Sequence, residues 1–270
     1  MRTPYIGRIA PSPTGLLHLG HARTFLIAAE RAARGTLWLR DDDLDTQRVR
    51  AEFATAMRDD LQWLGITWQQ EAKQSERLPL YRAAMERLLA TGAVYACTCS
   101  RRDLAAAIAA PHEDADDEPV YSGRCRAHVS DELMEGTNYR FRVPDGETIS
   151  FVDGNAGPQS FRAGRDAHAD FGDFVVWRKD GLPSYQLASV VDDEAMRITE
   201  VVRGRDLLKS TARQILLQRA LGYRTPAFFH ADLMRDTAGV RLAKRHDALS
   251  LRTLREQGMT PQQVRAVALR

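Results

Sequence analysis

Residues 7–23 read Gly-Arg-Ile-Ala-Pro-Ser-Pro-Thr-Gly-Leu-Leu-His-Leu-Gly-His-Ala-Arg, and they constrain the fold more than any other stretch. The run from Tyr5 to Ala10 predicts a strand. Pro11 and Pro13 forbid helix after it, Gly15 permits a turn, and a helix starts near Gly20 and carries Phe25, Leu26 and Ala29. A strand that passes through a loop into a helix start leaves backbone N–H groups unpaired at the positive end of the helix dipole, a natural seat for phosphate. His18 and His21 lie one turn apart at that end, so both imidazoles can face one anion and stabilise charge that grows on phosphorus during a reaction. His-x-Gly-His by itself is equally compatible with ordinary surface histidines; the whole of residues 8–23 is far more specific.

The chain has 270 residues, 44% of them hydrophobic and 27% charged, enough for one large domain with an insertion. No apolar run approaches membrane-spanning length and the N-terminus lacks a charged-then-apolar signal pattern, so a cytoplasmic protein without membrane contact is expected. A formal net charge of +2 does not announce a nucleic-acid partner, and any basic patch must be local. The three cysteines, an odd number confined to residues 97–125, suggest a metal rather than a disulfide framework.

Thr36 to Arg40 reads as a second strand running into Arg40-Asp41-Asp42-Asp43-Leu44-Asp45. Carboxylates packed this closely repel one another unless a cation or ammonium group sits among them, and strand C-termini are where ligands gather in an open parallel sheet. The plainer reading is a solvated acidic turn in which Asp45 caps the next helix. Helical spacing marks 50–64 and 78–90 as core helices, followed by Gly65 and Gly92, with Trp63 and Trp68 packed against them. A short helix over 100–110 and a polar, acidic loop over 111–118 come next. Hairpins are expected from 138–143 to 148–153 through Pro144-Asp-Gly, and from 174–178 to 182–185 through Lys179-Asp180-Gly181. A strand over 198–202, a helix from Asp206 to Leu221 ended by Gly222, a strand over 228–233 and short helices begun by Ser250 and by Thr260-Pro261 complete the pattern.

Cys97-Thr-Cys99 and Cys125 supply three quarters of a tetrahedral zinc site. By coordination chemistry alone the fourth ligand is His128 or His112, since imidazole is a commoner ligand than phenolate.

Several of these motifs together resemble a known family. Arg8-x-Ala10-Pro11-Ser12-Pro13-Thr14-Gly15-x-x-His18-x-Gly20 with Arg23 is similar to the nucleotide-binding signature of class I aminoacyl-tRNA synthetases, in their glutamyl branch. Arg40 to Asp45, Tyr185 to Asp193, Arg203-Gly204-x-Asp206-Leu207 and Arg241 to Arg245 follow in that family's order over nearly the whole chain. A short chain with Cys-x-Cys and then Tyr-x-x-x-Cys resembles the glutamyl-queuosine tRNA(Asp) synthetases. That resemblance implies an α/β fold: a Rossmann-like class I catalytic domain with an inserted zinc-bearing subdomain and a short helical C-terminus. The expected bounds are 1–94 and 191–240 for the two halves of the catalytic domain, 95–190 for the insertion, and 241–270 for the second nucleotide-binding loop and a truncated end without an anticodon-binding domain.

The resemblance also implies roles. Cys97, Cys99, Tyr121 and Cys125 would hold one structural zinc, with Tyr121 in place of His128. Arg8, Ser12, Asp42, Tyr185 and Arg203 would bind L-glutamate, Arg8 and Arg203 gripping carboxylates and Asp42 receiving the ammonium where the family carries glutamate. Pro11, Thr14, Gly15, His18, Gly20, His21, Arg241 and Lys244 would hold ATP with its Mg2+, and His18, His21 and Lys244 would act in catalysis. Arg241 and Ala243 replace a lysine and a serine of the family's second loop. The implied reaction activates L-glutamate with ATP, without tRNA, and passes it to queuosine in the anticodon loop of tRNA(Asp). A monomer is expected. The alternatives are a truncated glutamyl-tRNA synthetase charging the tRNA 3′ end, and a non-catalytic paralogue that binds tRNA or amino acid.

Overall fold

The computed structural model describes residues 4–99, 120–128, 130, 132–234 and 250–270. Along the chain the elements are β1 (Ile6–Ile9), α1 (Leu19–Arg31), β2 (Thr36–Asp41), α2 (Ala51–Trp63), β3 (Gln70–Lys73), α3 (Leu78–Ala90) and β4 (Val94–Cys97). They continue with β5 (Asn138–Phe141), β6 (Thr148–Asp153), β7 (Gly157–Arg162), β8 (Phe174–Trp177), α4 (Tyr185–Ala195), β9 (Glu200–Gly204), α5 (Leu208–Leu221) and β10 (Ala227–Ala231). Last come α6 (Leu251–Glu256) and α7 (Pro261–Ala268). Two compact units result, one formed by Met1–Glu76, Ile198–Arg205 and Pro226–Arg270, the other by Arg77–Arg197 and Asp206–Thr225.

The first unit is built on parallel strands. β1, β2 and β3 pair in that order, and parallel neighbours require crossovers, which α1 and α2 provide. β9 pairs in parallel with β10, and Thr199 N–H donates to the Ile6 carbonyl at 2.8 Å, which joins the β9 segment to β1. One apolar core gathers Ile9, Leu26, Leu39, Met57 and Leu61 with Leu251 and Val264 from the last two helices. Trp63 and Trp68 pack against it, as the spacing predicts. β3 escaped the sequence reading because Gln70–Lys73 is a mostly exposed edge strand with no apolar alternation.

The second unit holds the antiparallel sheet β4-β5-β8 and the β6–β7 hairpin. The expected hairpin between 138–143 and 148–153 does not form. Both edges of β5 are already taken, by β4 and β8, and all four of its residues are buried. β6 pairs instead with β7 through Gly154-Asn155-Ala156, a turn held by the Asp153 carboxylate, which accepts from the N–H groups of Asn155 and Ala156. After β8 the chain does turn back, with Arg178 N–H donating to the Leu182 carbonyl. It then enters α4 at Tyr185, because Ser184 is the N-cap and accepts from Leu187 N–H.

Asp206 lies in a single 3-10 turn over Arg205–Leu207, and Leu207 rather than Asp206 precedes α5. Gly65, Gly92 and Gly222 each follow a helix with positive φ, the conformation that ends helices at glycine. Among the described residues no helix is long and apolar enough to cross a membrane. The expected helix over 100–110, the acidic loop over 111–118, His112 and the Arg241 to Asp247 segment with Lys244 lie outside the described residues.

Candidate functional site

The loop after β1 is pinned by main-chain bonds: Asp42 N–H donates to the Pro11 carbonyl at 3.0 Å and Arg50 N–H to the Pro13 carbonyl at 3.1 Å. Ser12 is exposed, and its carbonyl accepts from Thr14 N–H in the turn that leads to Gly15. His18 is the N-cap of α1, and its Nδ1 accepts from Gly20 N–H at 3.1 Å. His21 reaches back so that its own Nδ1 accepts from His18 N–H at 3.3 Å, a reciprocal box in which imidazoles replace the usual hydroxyl and carboxylate. The rings stack with centroids 3.7 Å apart.

Two N–H groups at this helix start are therefore met by the histidines themselves rather than left for a ligand. Because each Nδ1 is an acceptor, each neutral ring carries its proton on Nε2 and presents a donor there. Gly20 makes the fold of the His18 ring possible, since a Cβ would stand 3.1 Å from its Cε1 and 3.2 Å from its Nδ1. From the other side Leu251 N–H donates to the Leu17 carbonyl, tying the start of α6 to this loop.

The strands carry charge deep into the same unit. Arg8 on β1 is 3% exposed and its Nη1 donates to the Val202 carbonyl at 2.9 Å. Arg203 on β9 is 4% exposed, and its Nε donates to Nε2 of His230 on β10 at 3.2 Å. The acidic run after β2 resolves by pairing each carboxylate separately. Asp42 takes Nε and Nη2 of the buried Arg40 at 2.6 and 3.0 Å, a two-bond fork. Asp41 pairs with Arg58 at 3.0 Å, Asp43 accepts from the N–H and Oγ of Ser75, and Asp45 pairs with Arg48 at 2.6 Å. Asp45 does not cap α2, whose N-cap is Arg50 with no side-chain bond.

In the second unit the three cysteine sulfurs lie within 4.8 Å of one another. The Tyr121 hydroxyl stands 3.1 Å from Cys99 Sγ and 3.8 Å from Cys97 Sγ, and Cys99 Sγ is 3.5 Å from Cys125 Sγ. Tetrahedral zinc with sulfur at about 2.3 Å implies ligand separations of roughly 3.5–3.8 Å, so the donor set fits that metal. Hydrogen bonds from Tyr121, Thr98 and Cys99 outweigh burial and bring the Cys125 thiol down to about 6, whereas burial raises Cys99 and Tyr121. Arg140, buried on β5, donates from Nε to Cys97 Sγ at 3.3 Å and lays its guanidinium 3.9 Å from the Tyr121 ring centroid. It is a cation positioned against the thiolate and phenol that would bind the metal. His128 is exposed and is not part of the cluster.

The family model for the catalytic domain of class I tRNA synthetases (E and Q) matches residues 6–270. A glutamyl-Q tRNA(Asp) synthetase from Symbiobacterium thermophilum is 46% identical over 275 residues, covering 96% of this chain and 83% of that protein. The chain belongs to the glutamyl-Q tRNA(Asp) synthetase family, within class I. A second member of that name, from Geobacter sulfurreducens, is 47% identical over 251 residues, covering 92% of this chain and 78% of its own. Among solved structures, a glutamate tRNA ligase from Elizabethkingia meningosepticum, crystallised with its amino acid, matches at a TM-score of 0.72 and 28% identity. That match covers 95% of this chain and 54% of the ligase, so the chain spans about half the ligase's length. The α/β architecture is thus that of a class I synthetase, and the cysteine cluster is compatible with a zinc subdomain.

For this glutamyl-Q synthetase family member, the first unit brings together Arg8, Pro11, Ser12, Thr14, Gly15, His18, Gly20, His21, Asp42 and Arg203. Tyr185 belongs to the second unit, in the first turn of α4. In the same unit Asp192, fully buried, is held by the Tyr81 hydroxyl at 2.9 Å and Arg77 Nε at 2.6 Å, a packing role. Sequence reasoning missed Arg140 and His230, and took Arg40 only as the head of the Arg40 to Asp45 run. Each is a polar residue at a buried strand position, and no local motif marks burial of that kind.

Proposed function

We propose that this chain activates L-glutamate with ATP to glutamyl-adenylate, without tRNA, and transfers the glutamate to queuosine at the wobble position of tRNA(Asp). The observation that carries the reading is the pair of buried guanidinium groups, Arg8 and Arg203, on β1 and β9 of the unit that also holds the stacked His18 and His21. A dicarboxylic amino acid needs two cationic contacts and one anionic one. Arg8 and Arg203 grip the carboxylates, and Asp42, braced by Arg40, receives the ammonium. A buried guanidinium facing a neutral amide would lose its counter-charge, which favours glutamate over glutamine.

The Nε2–H donors of His18 and His21 face the triphosphate, seated on the loop from Pro11 to Gly15, and Lys244 with Arg241 neutralises the leaving pyrophosphate. The α-carboxylate oxygen of glutamate attacks the α-phosphorus, and the bond to the bridging oxygen breaks. Pyrophosphate leaves, and charge on the phosphorus oxygens is met by donors already in place. A hydroxyl of the queuosine cyclopentene diol then attacks the activated carbonyl, loses its proton, and AMP departs. Mg2+ accompanies ATP. Cys97, Cys99, Tyr121 and Cys125 would hold zinc, which would supply structure rather than chemistry.

The test is ATP–pyrophosphate exchange with each amino acid in the absence of tRNA, followed by labelled glutamate with tRNA(Asp) carrying or lacking queuosine. Glutamate-dependent exchange and label that requires queuosine are expected. Label on the 3′ end of tRNA(Glu) overturns the transfer step, and no exchange with any amino acid overturns the activation step.

A further inference from the structure

His230 is the penultimate residue of β10, with no exposed surface, opposite Arg203 in the parallel register of β9 and β10. Burying an imidazole beside a guanidinium is unfavourable unless the ring is neutral and accepts, because two buried cations side by side repel strongly. The geometry is the accepting one: Arg203 Nε donates to His230 Nε2 at 3.2 Å. Phe228, two residues along the same strand, stacks on His230 with centroids 6.3 Å apart, and its ring centroid lies 5.9 Å from the Arg203 guanidinium carbon. The guanidinium is thus fixed at one edge by an acceptor and along one face by an aromatic ring. An arginine anchored through Nε cannot rotate about its last torsion, so the end bearing both Nη atoms keeps a single direction. That is the geometry a forked contact with a carboxylate requires.

We infer that His230 is a positioning residue that aims Arg203 at the carboxylate of the amino-acid substrate. The inference rests on Arg203 being a glutamate contact. His230 does not touch substrate; it holds the direction of the group that does. Loss of the acceptor therefore weakens binding of the amino acid and leaves binding of the nucleotide alone.

The experiment is glutamate- and ATP-dependent pyrophosphate exchange with His230→Leu, His230→Gln, Arg203→Lys and the His230→Leu/Arg203→Lys double variant, each checked for folding by thermal denaturation. Leucine fills the space without accepting; glutamine accepts through Oε1. His230→Leu is expected to raise KM for glutamate about tenfold or more, the scale of a hydrogen bond to a charged group, with KM for ATP within about twofold. His230→Gln is expected to recover most of the loss, and the double variant to be little worse than Arg203→Lys alone. Unchanged KM for glutamate in folded His230→Leu, with Arg203→Lys impaired, overturns the role of His230 and leaves Arg203 in place. An equal rise in both KM values, or no recovery with glutamine, makes the role structural and also overturns it. Unchanged KM for glutamate in Arg203→Lys instead overturns the underlying reading of Arg203.

Discussion

Gly172→Ala tests how the fold carries Tyr121 to the cysteine cluster. A Cβ at residue 172 would stand 2.8 Å from the Tyr121 nitrogen, 3.0 Å from the Tyr121 oxygen of the main chain and 3.1 Å from Val120 Cγ1. Carbon needs about 3.5 Å from such neighbours, so the two chains must part by roughly 0.5 Å. Two of the three atoms are backbone, and no side-chain rotation relieves them. Zinc ligands tolerate about 0.2 Å of displacement, so the shift is enough to pull the phenol oxygen out of bonding range.

Overpacking costs about 1–3 kcal/mol, offset by about 0.4–1 kcal/mol from the stiffer unfolded chain. A fall in Tm of a few degrees, at about 2–4 °C per kcal/mol, accompanies the metal effect. Zinc affinity, measured by competition with a chromophoric chelator, is expected to fall about 10–100-fold, the range seen when a group supporting a ligand is disturbed. Gly164→Ala in the same unit is the control, because its Cβ would meet only Gly146 N at 3.4 Å and Ala169 Cβ at 3.5 Å. Full zinc affinity in a folded Gly172→Ala protein would refute the chain from clash to displaced Tyr121 to weakened metal binding.

Two further outcomes follow from single residues. Cys99→Ser exchanges a soft thiolate for a poor ligand at the sulfur nearest Tyr121, and zinc measured by atomic emission in freshly purified protein is expected to drop from about one per chain toward zero. Zinc missing from the wild-type protein as well would remove the metal from the account. Asp60 on α2 is buried, its Oδ2 has no partner among the described residues, and its carboxyl is pushed up to about 6 by burial against the pull of Arg252 and Arg255. A raised carboxyl pKa makes the folded state bind its proton more tightly, so stability is lost as pH rises from about 4 through about 6. Asp60→Asn is therefore expected to be more stable than wild type at pH 7.5, with the gap closing toward pH 4. A constant difference in denaturation midpoint across that range would sink the assignment.

The sequence made the parallel half legible because its signals are local. Proline, glycine and histidine in residues 7–23 fix a strand, a loop and a helix start, and Gly65 ends α2 where glycine alone fits easily. The antiparallel half was harder, since partners there are chosen by distant segments. Residues 138–143 and 148–153 alternate well enough to pair, yet β4 and β8 claim β5 first and Gly154-Asn155 turns β6 onto β7. Site residues with a sequence motif, such as His18 or Cys97, could be named in advance. Arg140 and His230 could not, and Arg40 only as the head of an acidic run, because their work is to hold another side chain, and nothing in linear spacing says which one.

The reciprocal bracing of His18 and His21 has a consequence for how this stretch can vary. Each imidazole supports the main chain that orients the other, and each offers its outer nitrogen from the same pose. A change at either position disturbs two jobs at once, and a second change then has little left to remove. The two rings thus act as one mechanical pair rather than as two independent contacts.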